Sequence, residues 1–342
     1  MKSVNLIDVS DGAASGHVRR REAEALAVRD ACLGWLPLGG VLARLADPIV
    51  RAWMRRAGTP YAAEIDTVAR TLKKPGIWLL HGAYLFGCSA LADDTAQGPR
   101  LRRTLDWPFP GLGRLVEVRR QSGSAGEFLN VTWPGFVGVL TAVAPGRFAA
   151  SINQAPMRRR WRSPMLLWLD YVLNALDGLR SSGRLPPEHL LRQVFENCVC
   201  FDEARHLLET VPVARPVLFL LVGTRPGERI VIEREEVSAR TYRDDTVFAN
   251  DWRERPPNWR PRACGDGAPV ENNIRRRSAL AAWSGRDADD FDWVTAPVLN
   301  ACTRLSVEMC PATGQLTIAG WEADERGSAA RVTAISTFQQ AV

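Results

Sequence analysis

Cys88 follows Gly87 and precedes Ser89-Ala90-Leu91-Ala92, and fifteen residues beyond it lies Arg103 of the run Arg103-Thr104-Leu105-Asp106-Trp107. A thiol, a guanidinium and a carboxylate in this order can build a nucleophile if a proton carrier is at hand. An ordinary thiol has a pKa of about 8.5 and an α-amine one of about 8. An amine on the same residue can therefore take the thiol's proton and later return it to a leaving nitrogen. That amine exists only once the Gly87–Cys88 peptide bond is cut. The order thus suggests a cysteine that becomes a nucleophile after cleavage on its N-terminal side, with Asp106 holding the ammonium and an arginine lowering the thiol pKa. The plainer reading of an isolated cysteine is a small buried hydrophobe.

Local geometry follows from the turn-like stretch Asp93-Asp94-Thr95-Ala96-Gln97-Gly98. A hairpin centred on residue 97 would set Cys88 opposite Asp106, with both side chains on one face. Arg103 is an odd number of residues from Asp106, so a regular strand would turn it to the other face. Either a bulge intervenes or Arg102 takes its place.

The pattern resembles the N-terminal-nucleophile (Ntn) cysteine amidases of the acid ceramidase, N-acylethanolamine acid amidase and choloylglycine hydrolase group. In that group a cysteine is followed by a small or hydroxylic residue, then an arginine, then a Leu-Asp or Met-Asp step closing on an aromatic residue. Cys88, Arg103, Asp106 and Trp107 fit, with Thr104 where an asparagine is usual. Tyr61 with Glu64-Ile65 is similar to the pro-segment helix of the ceramidase branch. Trp133 to Thr141 and Pro145 to Phe148 resemble its central strands. Ser151-Ile152-Asn153-Gln154 matches the segment whose last residue helps form the oxyanion hole, although Gln154 replaces a glutamate; a backbone N–H survives that change. Ala249-Asn250-Asp251-Trp252 is similar to the motif that supplies the side-chain oxyanion donor, here Asn250. A last arginine is implied at the start of a following helix, where Arg275, Arg276 and Arg277 compete; the offset from Asn272-Asn273 favours Arg276. The likeness runs from about residue 60 to 320. It implies an α+β fold, a four-layer αββα sandwich of two stacked antiparallel sheets. It also implies a helical pro-segment over 1–87 and a catalytic domain over 88–342.

Periodicity agrees with such a plan. Val18 to Trp35, Val41 to Arg56 and Tyr61 to Leu72 carry apolar residues at helical intervals. Ile77 to Tyr84 is an apolar run bounded by glycines and reads as a strand. Val116 to Arg120, Phe128 to Thr132, Phe136 to Val143 and Arg147 to Ile152 read as further strands between Gly and Pro turns. Helices are expected over Pro164 to Leu179, Pro187 to Glu196 and Asp202 to Thr210. Strands return at Pro216 to Val222 and Glu228 to Glu233 around a turn at Gly223 to Gly227. Asn250 to Gly267 reads as a long loop, Glu271 to Trp283 as a helix, and Leu299 to Met309 and Leu316 to Trp321 as strands. Strand-rich blocks flanking helices suit two sheets packed face to face with helices outside.

Composition narrows the function. The chain has 342 residues, a net charge of +6 and a basic surplus that is almost all arginine. Arg19-Arg20-Arg21 and Arg158-Arg159-Arg160 are read as solvated surface, and no nucleic-acid motif accompanies them. Seven scattered cysteines fit a reducing compartment better than a disulfide framework. Four histidines and no paired Cys-x-x-Cys argue against a metal enzyme, and no cofactor is expected. The first residues lack the apolar core of a signal peptide, so a cytoplasmic protein is expected. Trp107, Trp133, Trp252 and Trp259 fall beside the proposed site and are candidate walls of an acyl pocket, although tryptophan more often serves packing. Trp35, Leu36, Leu38 and the apolar face of Val41 to Trp53 are candidates to cover that pocket. The resemblance also implies transient membrane contact through the pro-segment.

The leading expectation is hydrolysis of a linear amide that carries a hydrophobic acyl group, through an acyl-enzyme on Cys88. Arg103, Asp106, Gln154, Asn250 and Arg276 complete the site. The partner is then a small N-acyl amide. Transfer of the same acyl group to an amine is one alternative, and a catalytically silent lipid- or partner-binding member of the fold is another.

Overall fold

The computed structural model of the chain describes residues 1–9, 14–34, 38–82, 87–161, 163–285, 290–325 and 327–341. A short strand, β1 (Asn5–Asp8), comes first. It is followed by helices α1 (Ala14–Arg20), α2 (Glu22–Gly34), α3 (Gly39–Arg56), α4 (Ala62–Leu72) and α5 (Ile77–Gly82). In α4 the buried residues Ile65, Val68 and Leu72 follow helical spacing. They meet Val50, Trp53 and Met54 of α3 in one apolar cluster.

Helix α5 corrects the expected strand at Ile77, whose final residue, Tyr84, lies outside the described residues. A short apolar run is ambiguous by pattern alone. The decision comes from Asp47 of α3, whose carboxylate accepts the N–H groups of Gly76 (2.6 Å) and Leu79 (2.9 Å). A negative charge bonded to the first N–H groups favours a helical start.

The strands then build two sheets. Along the chain come β2 (Gly87–Thr95), β3 (Gly98–Asp106), β4 (Glu117–Gly123), β5 (Gly126–Thr132), β6 (Thr141–Ala144), β7 (Phe148–Gln154) and the short β8 (Met157–Arg158). Helices α6 (Leu167–Arg180), α7 (Pro187–Asn197) and α8 (Phe201–Thr210) follow. Then come β9 (Val217–Val222), β10 (Arg229–Arg234), β11 (Ala239–Tyr242), β12 (Val247–Phe248) and β13 (Trp259–Arg260). Helix α9 (Pro269–Ala282) precedes β14 (Thr303–Cys310), β15 (Gln315–Ala323), β16 (Ala329–Arg331) and β17 (Ser336–Gln339).

One sheet has the order β1-β4-β5-β6-β7-β9-β10-β11; the other runs β12-β2-β3-β14-β15-β16, with β17 also on β15. Cys88, Ala90, Leu101 and Leu105 of the second sheet share one core with Ala150, Ile152, Leu218 and Leu220 of the first. Helices α7 and α8 contact the first sheet and α9 the second, which gives the expected αββα layering. Strand β9 is a continuous apolar run, Val-Leu-Phe-Leu-Leu-Val, because it is covered on both faces.

Two departures concern the edges. The expected strand Phe136–Val143 shrinks to β6, since the chain around Gly135 and Gly138 takes positive φ. The pairings are antiparallel except that β1 lies parallel to β4, so residues of the expected pro-segment supply an edge strand of the first sheet. The same segment is tied down by Val4 N–H to Ser336 Oγ (3.0 Å) and by His17 Nε2 to Glu117 Oε1 (2.9 Å).

Candidate active site

Strands β2 and β3 form the expected hairpin, but one step out of the expected register. The pairs are Thr95 with Gly98, Cys88 with Leu105 and Gly87 with Asp106. A one-residue slip reverses every facing relation. Cys88 and Asp106 therefore point to opposite faces, correcting the expectation that they share one, and Arg103 joins Cys88 on the inner face. The Arg103 Nη2 donates to the Cys88 Sγ at 2.9 Å. Arg102 is turned away, bonded to Asp93 and covered by the Trp283 ring at 4.6 Å.

The inner side of the site is closed. Cys88 has no exposed surface, and its sulfur lies 3.8 Å from the Ile152 carbonyl. The Arg103 guanidinium reaches the carbonyls of Leu140 (3.1 Å) and Ile152 and the Thr141 hydroxyl. Burial pushes the Cys88 thiol up to about 11, and Arg103 offsets this only in part. The expected acidifying effect of the arginine is thus present but outweighed in the intact chain.

The outer side is built from α9. Arg276 is fully buried, whereas Arg275 is exposed and Arg277 pairs with Asp245 at 3.1 Å. The Arg276 Nη1 donates to the Cys88 carbonyl (2.6 Å) and the Ser89 hydroxyl (3.1 Å). Its Nε donates to Asn272 Oδ1 (2.9 Å) and its Nη2 to Asn273 Oδ1 (3.2 Å), four and three residues earlier on the same helix. Its Nη1 lies 3.8 Å from Asp106 Oδ2.

Asp106 accepts a hydrogen bond from the Thr303 hydroxyl at 2.9 Å through Oδ1, while its buried Oδ2 has no hydrogen-bond partner. A register shift in β14 between Thr303 and Leu305 keeps Thr303 opposite Asp106. Burial raises the Asp106 pKa, with Arg276 opposing it. Around Cys88, two guanidiniums face one carboxylate in a closed site.

Asn250 stands two residues beyond β12, which pairs with Leu91 and Ala90 of β2 and so delivers it to Cys88. The Cys88 N–H donates to Asn250 Oδ1 (2.8 Å), and the Asn250 Nδ2 donates to the Gln154 carbonyl (2.9 Å). Asn273 Oδ1 accepts the Asn250 N–H at 2.7 Å. The structure therefore gathers Cys88, Arg103, Asp106, Asn250 and Arg276, with Gln154 touching Asn250 through its backbone carbonyl.

Four supporting residues escaped the sequence reading: Thr141, Thr303, Asn273 and Cys264. Only Asn273 left a signal, its helical spacing from Arg276. Cys264 is buried beside Gly87, where an added Cβ would come within 1.4 Å of its sulfur. Burial raises its thiol pKa well above the ordinary range.

A cavity of about 370 Å³ adjoins this cluster. Leu140 and Ile152, whose carbonyls hold Arg103, form part of its wall with Gln154, and Val50 and Trp53 of α3 close the far side. The four tryptophans named as candidate walls do not line it. Trp107 lines a smaller space of about 100 Å³ under α2, Trp133 donates to the Leu112 carbonyl (2.8 Å), and Trp252 packs edge-on against Trp259. Trp35 and Leu36, candidate covers, lie outside the described residues, and Leu38 is exposed. Among the described residues no group of three or more His, Cys, Asp or Glu could hold a metal ion.

Comparison with known proteins gives homologues of one kind. The chain is 27% identical over 183 residues to an N-acylethanolamine-hydrolyzing acid amidase of Mus musculus, covering 52% of this chain and 47% of that protein. A Caenorhabditis elegans protein of the same name is 24% identical over 235 residues, 66% of this chain and 61% of that one. An acid ceramidase of Pan troglodytes is 32% identical over 120 residues, 35% and 28% of the two chains. The match thus spans about half the length of the acid amidases. Among solved structures, the Caenorhabditis elegans acid amidase ortholog aligns with a TM-score of 0.48 at 20% identity over 66% of this chain and 93% of that one. A conjugated bile acid hydrolase from Clostridium perfringens aligns with a TM-score of 0.40 at 11% identity over 74% and 97%. No family model matches. The chain is a homologue of the N-acylethanolamine-hydrolyzing acid amidases and acid ceramidases.

Proposed function

We propose that this chain is an autoprocessed cysteine amidase that hydrolyses the linear amide bond of a hydrophobic N-acyl substrate. The observation that carries this reading is the pairing of Cys88 with its surroundings. Its thiol sits on Arg103, its backbone nitrogen on Asn250, and Asp106 keeps a buried oxygen without a partner close to Arg276.

In the intact chain the Cys88 thiol adds to the Gly87 carbonyl carbon and the C–N bond breaks. Nitrogen keeps its hydrogen and takes the thiol's proton, becoming a primary amine, and water then hydrolyses the resulting thioester. This yields a Gly87 carboxylate and a thiol beside an amine. Asp106 Oδ2 and Asn250 Oδ1 are the acceptors for the new N–H bonds. In the processed site the amine takes the thiol proton as sulfur attacks the substrate carbonyl, and it passes that proton to the departing nitrogen. The remaining N–H of Asn250 Nδ2, with the Gln154 N–H, steadies the tetrahedral oxyanion, a contribution of about 3 kcal/mol per well-placed donor. The surplus positive charge from Arg103 and Arg276 favours the same intermediate. Water finally releases the acid and restores the thiol.

Intact mass and activity on a long-chain acyl amide test the reading. Wild type should yield a fragment beginning at Cys88 and hydrolyse the amide; Cys88→Ala should stay whole and inactive. Ordinary turnover by Cys88→Ala would overturn it.

The cavity's apolar wall suits the acyl chain, and its approach suits a membrane surface. Leu38, just before α3, and Leu45 and Ile49 on it are 77%, 67% and 55% exposed, and Trp168 on the adjoining α6 is 63% exposed. Apolar patches of this kind mark interaction surfaces. No single helix among the described residues is long and apolar enough to cross a membrane. Sedimentation with lipid vesicles should be lost in Leu45→Asp, with turnover of a short soluble amide retained; unchanged sedimentation would remove the membrane role.

A further inference from the structure

The cavity beside Cys88 is apolar along most of its wall, yet it carries three charged side chains: Glu188, Arg215 and Arg262. The first two form an ion pair at 2.6 Å. Arg262 has no carboxylate within ion-pair distance among the described residues. Its Nη1 donates to the Met157 thioether at 3.4 Å, its guanidinium also hydrogen-bonds Tyr171, and its Nε is buried without a hydrogen-bond partner. The Tyr171 ring lies 5.5 Å from the guanidinium. A guanidinium carries five donors in a planar fork that matches a carboxylate. The buried Nε is left unpaired beside a largely apolar cavity, at a cost in free energy that an anionic ligand would recover.

The position of Arg262 gives this surplus charge a use. Its backbone N–H donates to the Asn250 carbonyl at 3.1 Å, and its own carbonyl accepts from Asn273 Nδ2 at 2.7 Å. The chain that presents this guanidinium is thus bonded directly to the two residues that hold Cys88 and Arg276. Met157, the partner of the fork, lies three residues beyond Gln154, which lines the same cavity and whose carbonyl accepts from Asn250.

We infer that Arg262 selects an anionic N-acyl amide, pairing bidentately with a carboxylate of the substrate. This rests on the amidase reading and deepens it. The carboxylate can belong to the amine portion, as in an N-acyl amino acid, or to the far end of an acyl chain folded back on itself. The chemistry is shared, and the two sources separate by experiment.

The test uses long-chain sulfonamides, which fill the cavity and cannot be hydrolysed. One carries a carboxylate on the amine portion, one carries it at the chain terminus, and one is the neutral carboxamide of the first. Calorimetric titration into the full-length protein should show one of the two acids binding about ten- to a hundredfold tighter than the neutral compound. Arg262→Gln should abolish that preference while leaving the neutral compound's affinity unchanged, and Arg262→Lys should restore part of it. The acid that benefits names the end of the substrate that bears the charge. Equal or tighter binding of the neutral compound, no binding of any of the three, or an equal loss for all three in Arg262→Gln would overturn the inference. Selective binding of an acid with no hydrolysis of the matching amide would leave Arg262 in its role and reject the amidase reading alone.

Discussion

At Gly87 a single hydrogen atom is the difference between a seated and a displaced peptide bond. A Cβ there would sit 1.4 Å from Cys264 Sγ, 2.8 Å from Cys264 Cβ and 3.3 Å from Asn250 Oδ1. The residue before Cys88 and a cysteine far along the chain are therefore matched in shape. Overpacking of this kind costs about 1–3 kcal/mol, which as a barrier would slow self-cleavage by about five- to a hundredfold. Gly87→Ala should accumulate uncleaved chain in a time course of intact mass, and Cys264→Gly in the same chain should restore cleavage. Cleavage of Gly87→Ala at the wild-type rate would show that the contact is not needed. None of this was legible in the sequence, because Cys264 and Gly87 share no motif and meet only through the fold. Arg276, by contrast, was distinguishable from its two arginine neighbours, since helical spacing ties it to Asn272 and Asn273.

Helix α5 shows the same division for an element. Its apolar run left helix and strand open, and the Asp47 carboxylate on α3 decided the matter. The far end of α5 is tied to the body by His81. Its Nδ1 donates to the Ile77 carbonyl (2.7 Å), its Nε2 accepts the Val137 N–H (2.9 Å), and its ring stacks on Phe136. This arrangement needs a neutral ring, and burial lowers the His81 pKa to about 4. As pH falls below the unfolded value of about 6.5, the unfolded chain takes up a proton that the folded chain refuses. Stability is then lost at up to about 1.4 kcal/mol per pH unit until the folded ring titrates near 4. Buried His189 acts in the same direction. Denaturant midpoints between pH 7 and 4 should fall less steeply for His81→Gln than for wild type. Parallel slopes would show that the ring is not held neutral.

For the whole molecule, the expected boundary at residue 87 does not coincide with a packing boundary. Strand β1 completes the first sheet, and Val18, Trp53, Ile65, Val68 and Trp78 share a core with Val137 and Ala214. Across the same boundary Glu64 pairs with Arg192 at 2.6 Å, and the Tyr61 hydroxyl donates to Glu196 at 2.6 Å. Each fully buried large apolar side chain contributes about 1.5–3 kcal/mol, so cutting one peptide bond leaves most of the cohesion intact. After cleavage the two fragments should elute together from gel filtration in native buffer and separate only in denaturant. Release of the smaller fragment under native conditions would contradict this.

By itself the sequence determined the order of the chemical groups, the helices with sustained periodicity and the strands with continuous apolar runs. These are local properties, carried by neighbours a few residues apart. Register was beyond it: centring the hairpin half a residue late slipped the pairing by one, moving Arg103 to the wrong face and Asp106 to the cysteine's own. Turn residues constrain a hairpin only to within a step, and the packing of β2 and β3 between the first sheet and α9 selects the step that buries Cys88 inward and leaves Asp106 to Arg276. The cavity beside Cys88, the charge of Arg262 on its wall and the fit of Cys264 to Gly87 likewise belong to the tertiary structure alone. Each depends on segments far apart in the chain, whose proximity no local spacing encodes.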